Sequence, residues 1–293
     1  MSFVAADLVA LLELERIEHN IYRGQNRDIG TGRIYGGQVL AQAVVAASHT
    51  VNEDRPIHSM HGYFILAGDL TVPVVYFVDR LRDGGSFTTR TVTGIQHGQA
   101  IFTMSSSFHR QEDGFSHQSE MPNVPDPETL RPELDIIRER ADEIPPALRT
   151  VLTQDRPLDF RSVDGTDPFD TTVREPSRCY WVRAIGAMDD NQAHHQALLA
   201  YASDYGLLGA ALRPHGASIR DPRMMVASLD HSIWFHRPVH MNDWMLYVAD
   251  SPVSGGARGF TRGSFFTRDG ALVASVAQEG LIRNWAVKKK EVI

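Results

Sequence analysis

The 293-residue chain has a single cysteine, Cys179. That excludes an intramolecular disulfide framework and any zinc site built from a cysteine cluster. No apolar run approaches the ~18 residues of a membrane span. Positive charge is in deficit, with 29 Lys and Arg against 36 Asp and Glu for a net −7, which argues against nonspecific nucleic-acid binding as the main role. There is no G-x-S-x-G nucleophile elbow, no Walker loop and no G-x-G-x-x-G after a strand, so a serine hydrolase elbow, P-loop phosphoryl transfer and a Rossmann cofactor are all disfavoured. The 13 histidines are scattered; His194-His195, His231 and His236 lack zinc spacing and read as hydrogen-bonded structural residues. Neither a metal nor a cofactor is expected. Cys179 sits beside Tyr180 and Trp181, a setting for a buried, inert thiol.

The termini carry no recognisable address. Met1 to Asn20 lacks a basic segment before an apolar one and reads as an amphipathic helix with Val4, Leu8, Leu11 and Leu12 on one face. The C-terminal Lys288-Lys289-Lys290-Glu291-Val292-Ile293 is neither a peroxisomal tripeptide nor a lipidation site. A soluble cytoplasmic protein is the expectation.

Hydrophobic residues make up 42% of the chain, enough for a large core. Composition divides the chain into residues 1–112, a stretch 113–170 holding eight of the 15 prolines, and residues 171–293. Proline interrupts both helices and ladders, so 113–170 reads as a linker. The outer stretches repeat one order. Gly36-Gly37-Gln38 opens a segment to Ala47 that is apolar on nearly all sides, and His194–Asp204 is its counterpart. Such helices want burial all round. After each comes a β-rich run with a Gly-Gly, at Gly84-Gly85 and Gly255-Gly256, 171 residues apart. Then comes a turn, His97-Gly98 and Asp269-Gly270, 172 apart. Asp-Gly is the strong two-residue hairpin signal and His-Gly the weak one. A repeat this long implies a duplicated domain. The expected fold is α+β, with a long apolar helix wrapped by a curved antiparallel sheet, present twice.

Three polar residues of the second half fall where a core should be apolar. Asp204 follows Ala197 and Ala200 at helical spacing; Ser228 and Gln278 lie in the strand-like runs Val226–Asp230 and Val273–Gln278. Each has an ordinary explanation as a helix end, a packed hydroxyl or an edge amide. Aligning the copies at Gln38 and Gln196 sets Ala46 opposite Asp204, while the strands set roughly His58 opposite Ser228 and Ser106 opposite Gln278. A trio kept in one copy only is easier to explain by function than by folding.

Several longer motifs carry a specific resemblance. Ala202-Ser203-Asp204, Leu229-Asp230-His231-Ser232-Ile233-Trp234-Phe235-His236-Arg237-Pro238 and Val273–Gly280 resemble the type II acyl-CoA thioesterases. So do Gly36-Gly37-Gln38, His61-Gly62-Tyr63-Phe64 and Leu81–Phe87, over nearly the whole chain. The resemblance implies a double hotdog fold, an acyl-CoA substrate hydrolysed to free acid and CoA, and a homo-oligomer, dimer or tetramer. It implies Asp204, Ser228 and Gln278 as the catalytic residues; many bacterial members carry threonine where this chain has Ser228. The residue types suit direct attack by a held water. A carboxylate serves as general base, worth typically ~10²–10⁴-fold, and two hydrogen-bonding side chains keep carboxylate and water in place. The Gly36-Gly37 helix start is a candidate oxyanion donor, and Arg33, Arg82, Arg90 and Arg237 are candidates for the CoA phosphates. The alternatives are a noncatalytic acyl-CoA sensor and a hotdog enoyl-CoA hydratase or dehydratase.

Overall fold

The computed structural model describes residues 3–30, 32–166, 169–219, 221 and 223–285; the Lys288–Ile293 tail lies outside them. In the first half, α1 (Ala5–Leu12), β1 (Glu15–Glu18) and β2 (Ile21–Gly24) precede the long helix α2 (Gly36–Ser48) and strands β3 (Ile57–Phe64), β4 (Val74–Asp83), β5 (Phe87–Gln96) and β6 (Gln99–His109). The proline-rich stretch forms α3 (Glu133–Glu139) and α4 (Pro146–Thr153). It ends in β7 (Leu158–Ser162), which pairs with β8 (Ser177–Ala184). The second half continues with α5 (Gln192–Ser203), α6 (Gly209–Leu212), β9 (Met224–Ser228), β10 (Asp230–Phe235), β11 (Met245–Gly255), β12 (Arg258–Thr267) and β13 (Leu272–Asn284).

The N-terminal helix is shorter than expected. It stops at Leu12, where Glu13 takes an extended backbone, and Glu15–Glu18 becomes a strand paired with β2. The apolar spacing that suggests a helix runs only to Leu12, and Arg23 ties Glu15 across the two strands.

α2 is enclosed, with every residue from Gly37 to Ala47 buried. Its two buried amides are satisfied by Gln25 O, Asn26, Leu11 O and Tyr76, as burial of polar groups demands. α5 is likewise buried from His195 to Ser203, and the two helices pack on each other.

The sheet order is β1-β2-β4-β5-β6-β3-β10-β13-β12-β11-β8-β7, with β9 also on β13. It reads the same outward from the central β3–β10 seam in both directions. The duplicated α+β, double hotdog architecture is therefore present, and its register repeats in detail. Ile57 faces Phe108 with a bulge before Ser59, and Ser228 faces Gly280 with a matching slip before Ser232. Both β5–β6 and β12–β13 carry an irregularity near the turn, at Gly94/Ile95 and Phe265/Phe266. The ladder pairs Arg90 with Ser106 in one half and Thr261 with Gln278 in the other.

The turns account for the change of spacing from 171 to 172. His97 and Gly98 both have positive φ, 49° and 74°, the pattern of a two-residue type I′ turn. At Asp269-Gly270 only Gly270 is left-handed, at 92°, and Thr267 N bonds Ala271 O across a loop one residue longer. The strong Asp-Gly signal thus belongs to a three-residue loop, and the weak His-Gly signal to the tight hairpin.

Candidate active site

Asp204 caps the C-terminus of α5, where its own helix disfavours a negative charge. The helix end is held by two phenols, one partly and one fully buried: Tyr35 donates to Tyr201 O at 2.9 Å and Tyr247 to Ser203 O at 2.7 Å. Burial, with the Asp204 charge adding to it, pushes both phenols well above their ordinary pKa, so they remain donors.

The opposing charge effect comes from the other half. A Cβ on Gly36 would lie 2.7 Å from Asp204 Oδ2 and 3.1 Å from the Phe64 ring. The carboxylate therefore rests against the first turn of α2, the end of a helix that favours negative charge. At Gly37 a Cβ would come within 2.4 Å of Tyr201 O, so the two glycines also let the helices approach. The close-packing and anion-binding readings of Gly36-Gly37 are thus compatible.

Ser228 and Gln278 meet Asp204 on its other oxygen. Gln278 Nε2 donates to Asp204 Oδ1 at 3.0 Å and to Ser228 Oγ at 2.5 Å; Ser228 Oγ donates to the same Oδ1 at 3.3 Å. The three residues named from the sequence are brought together from one helix end and two strands. In a regular strand Ser228 and the inward residue His231 would point to opposite faces. The register slip at Leu229–His231 removes that conflict. Leu229 N bonds Glu279 O, and the Asp230 carboxylate accepts from Glu279 N at 2.7 Å, satisfying the backbone the slip leaves open.

His231 is a site residue that spacing alone does not pick out. It is fully buried, with Nδ1 3.0 Å from Gln278 Oε1 and Nε2 2.9 Å from Ser203 Oγ. Burial lowers its pKa, against the pull of the nearby Asp204 charge. Counting by twos from Ser228 puts His231 outward. The one signal available was the equivalent bulge in β3, which is itself silent in sequence. Cys179 is partly buried rather than fully enclosed, and burial pushes its thiol up to about 12.

Of the four arginines, Arg90 is removed from consideration for phosphate binding. It is 1% exposed and donates to Thr50 Oγ1 and O, Arg82 O, Thr89 O and Asp83. Arg82 and Arg237 are exposed. Among the described residues no group of His, Cys, Asp and Glu is arranged to hold a metal, and no helix is long and apolar enough to cross a membrane.

Two family models match the chain: "Acyl-CoA thioesterase" over residues 148–281 and "Acyl-CoA thioesterase N-terminal domain" over 25–109. Acyl-CoA thioesterase 2 of Haemophilus influenzae is 39% identical over 97% of this chain and 99% of its own length. Acyl-coenzyme A thioesterase 8 of Mus musculus is 40% identical over 94% of this chain and 88% of its own. The crystal structure of an acyl-CoA thioesterase II, TesB2, from Mycobacterium marinum aligns with a TM-score of 0.77 at 39% identity, covering 94% of this chain and 98% of that one. With both halves matched and relatives this similar along nearly their whole length, the chain belongs to the acyl-CoA thioesterase family.

Proposed function

We propose that the chain hydrolyses fatty acyl-CoA to free fatty acid and CoA by direct attack of a water held by Asp204, Ser228 and Gln278. The observation that carries this reading is the convergence of Ser228 and Gln278 on Asp204 Oδ1, while Oδ2 is turned toward the start of α2. One oxygen is fixed and the other faces the region where an electrophile's negative charge would be stabilised.

In this mechanism Asp204 takes a proton from water as the water oxygen attacks the thioester carbonyl. The developing oxyanion is met by N–H groups of the first turn of α2. Collapse breaks the carbon–sulfur bond, and the sulfur leaves as a thiolate that takes up the proton. A thiol of solution pKa about 8.5, on the cysteine scale, needs no strong general acid. Gln278 and Ser228 keep the carboxylate and the water from drifting. The reading takes residues 1–112 and 171–293 as the two hotdog units joined by 113–170, and expects a dimer or tetramer, which light scattering would decide.

Thiol release from a ladder of acyl-CoAs tests the reading, with the acid product identified. Native protein should liberate CoA and free acid, and Asp204→Asn should lose ~10²–10⁴-fold with its circular dichroism unchanged. Acyl-CoA binding without turnover would favour a sensor, and hydrated acyl-CoA in place of free acid would favour a hydratase. An acyl adduct on Ser228 during turnover would replace the water mechanism by a covalent one.

A further inference from the structure

We infer that His231 is a positioning residue: its Nδ1–H fixes the Gln278 amide in the one orientation that presents both amide hydrogens to Asp204 and Ser228. The inference rests on the hydrolase reading above and deepens it.

Proton bookkeeping carries it. The Gln278 Nε2 sits 3.0 Å from Asp204 Oδ1 and 2.5 Å from Ser228 Oγ, which uses both of its hydrogens. Its Oε1 then faces His231 Nδ1 at 3.0 Å, and an amide oxygen can only accept, so Nδ1 must carry a proton. An Nε2–H tautomer with a bare Nδ1 would set lone pair against lone pair. The amide would flip, bringing its oxygen against the Asp204 carboxylate and removing both donors from the pair it holds.

The far side of the ring is compatible with the same tautomer. Ser203 Oγ lies 2.9 Å from Nε2 and 2.8 Å from Ala200 O. Its single hydrogen can be given to either, so the hydroxyl can complete a neutral ring protonated at Nδ1. Ser203 is fully buried and directly precedes Asp204, so the helix end that carries the carboxylate also anchors the ring that orients its partner. The arrangement is a closed circuit of Asp204, Gln278, His231 and Ser203. In the first half the residues at the His231 and Gln278 ladder positions are Met60 and Ser106, which form no such circuit.

Three substitutions separate positioning from packing. His231→Asn places an amide donor near the lost Nδ1, whereas His231→Gln places one near Nε2 and His231→Leu supplies none. Acyl-CoA turnover by His231→Gln and His231→Leu should fall in kcat by ~10–100-fold with KM within about twofold, the range for a slightly misplaced catalytic group. His231→Asn should recover most of that loss. Were the residue only packing, activity would follow the unfolding temperature and Asn would do no better than Gln, which overturns the inference even if the Leu variant fails to fold. A long-range proton–nitrogen spectrum of the native imidazole gives a readout independent of activity: an Nδ1–H neutral ring is expected, and an Nε2–H ring refutes the assignment. Native protein that hydrolyses acyl-CoA in an Asp204-dependent way while all three His231 variants match it would sink this inference alone; native protein without hydrolysis would sink the functional reading beneath it.

Discussion

The two halves have one backbone plan and opposite interiors at the same place. At ladder positions fixed by the repeated bulges, the first half turns Ile57, Met60, Arg90 and Ser106 inward, and the second turns Ser228, His231, Thr261 and Gln278 inward. The register sets Ile57, one residue before His58, opposite Ser228. Arg90 fills its half with a guanidinium bonded to backbone carbonyls and Thr50, whereas Thr261 spends its short side chain on Gln278 O at 3.1 Å. The bulge that lets Ser228 and His231 face the same way exists in both copies, so it is a property of the fold and not of the site. One copy supplies a stable scaffold and the helix start at Gly36; the other has exchanged apolar and arginine filling for a network of short polar side chains.

Importing the first half's arginine should erase that difference. Thr261→Arg would bring a cation beside Gln278 and Asp204, pairing the carboxylate and displacing water. Turnover should fall by at least ~10²-fold, the scale of a lost general base. Overpacking should cost an additional 1–3 kcal/mol or about that, seen by thermal unfolding. Retained turnover in a folded variant would mean that the small residue at this position is not what makes the second half reactive.

Removing the arginine from the first half should leave turnover alone. Arg90→Met removes the buried guanidinium and strands Thr50 O, Arg82 O and Thr89 O, at a cost of about 2 kcal/mol in stability. Thiol release per folded molecule should stay within ~2-fold of native, because nothing in the Asp204 network touches Arg90. A larger loss would place Arg90 in communication with the site and break the division of labour between the halves.

Gly36 is where the scaffold half reaches the reactive one. Gly36→Ala puts a methyl 2.7 Å from Asp204 Oδ2, so either the carboxylate or the helix start must shift. The expected loss is ~10-fold in kcat, smaller than removal of the base and characteristic of a displaced one. Unchanged kinetics would show that the contact between the halves is only packing.

What could be read in advance follows the range of the interactions involved. The duplication, the two enclosed helices and the Asp204, Ser228, Gln278 trio rest on patterns within a segment or on its repetition, and they are legible. The single-residue slip at Leu229 is not, because Val226–Phe235 looks like one continuous strand; only pairing with β13 shows the break. With it went His231, whose inward direction depends on the slip. The burial of Arg90 is not legible for a related reason. A lone arginine in a strand reads as exposed unless one knows that Thr50 and three backbone carbonyls close around it. The end of the N-terminal helix at Leu12 is hidden likewise, because the strand pairing to Ile21–Gly24 that replaces it is nonlocal.

A subtler effect than removal of the base should come from Ser228. Ser228 Oγ lies 2.5 Å from Gln278 Nε2 but 3.3 Å from Asp204 Oδ1, so the amide holds it more closely than the carboxylate does. A branched Cβ restricts χ1 and is at home on a strand. Ser228→Thr keeps the hydroxyl and limits its swing, so kcat should rise, by no more than ~3-fold, with KM unchanged. Ser228→Val keeps the branch and removes the hydroxyl, moving the position toward the first half's Ile57, and should lose ~10-fold. Measured side by side, the pair separates the hydroxyl from the shape of the side chain. Equal kinetics for Thr and Val would mean that Gln278 alone holds Asp204 and that Ser228 is a spacer, which would bring this position of the second half back to the plan of the first.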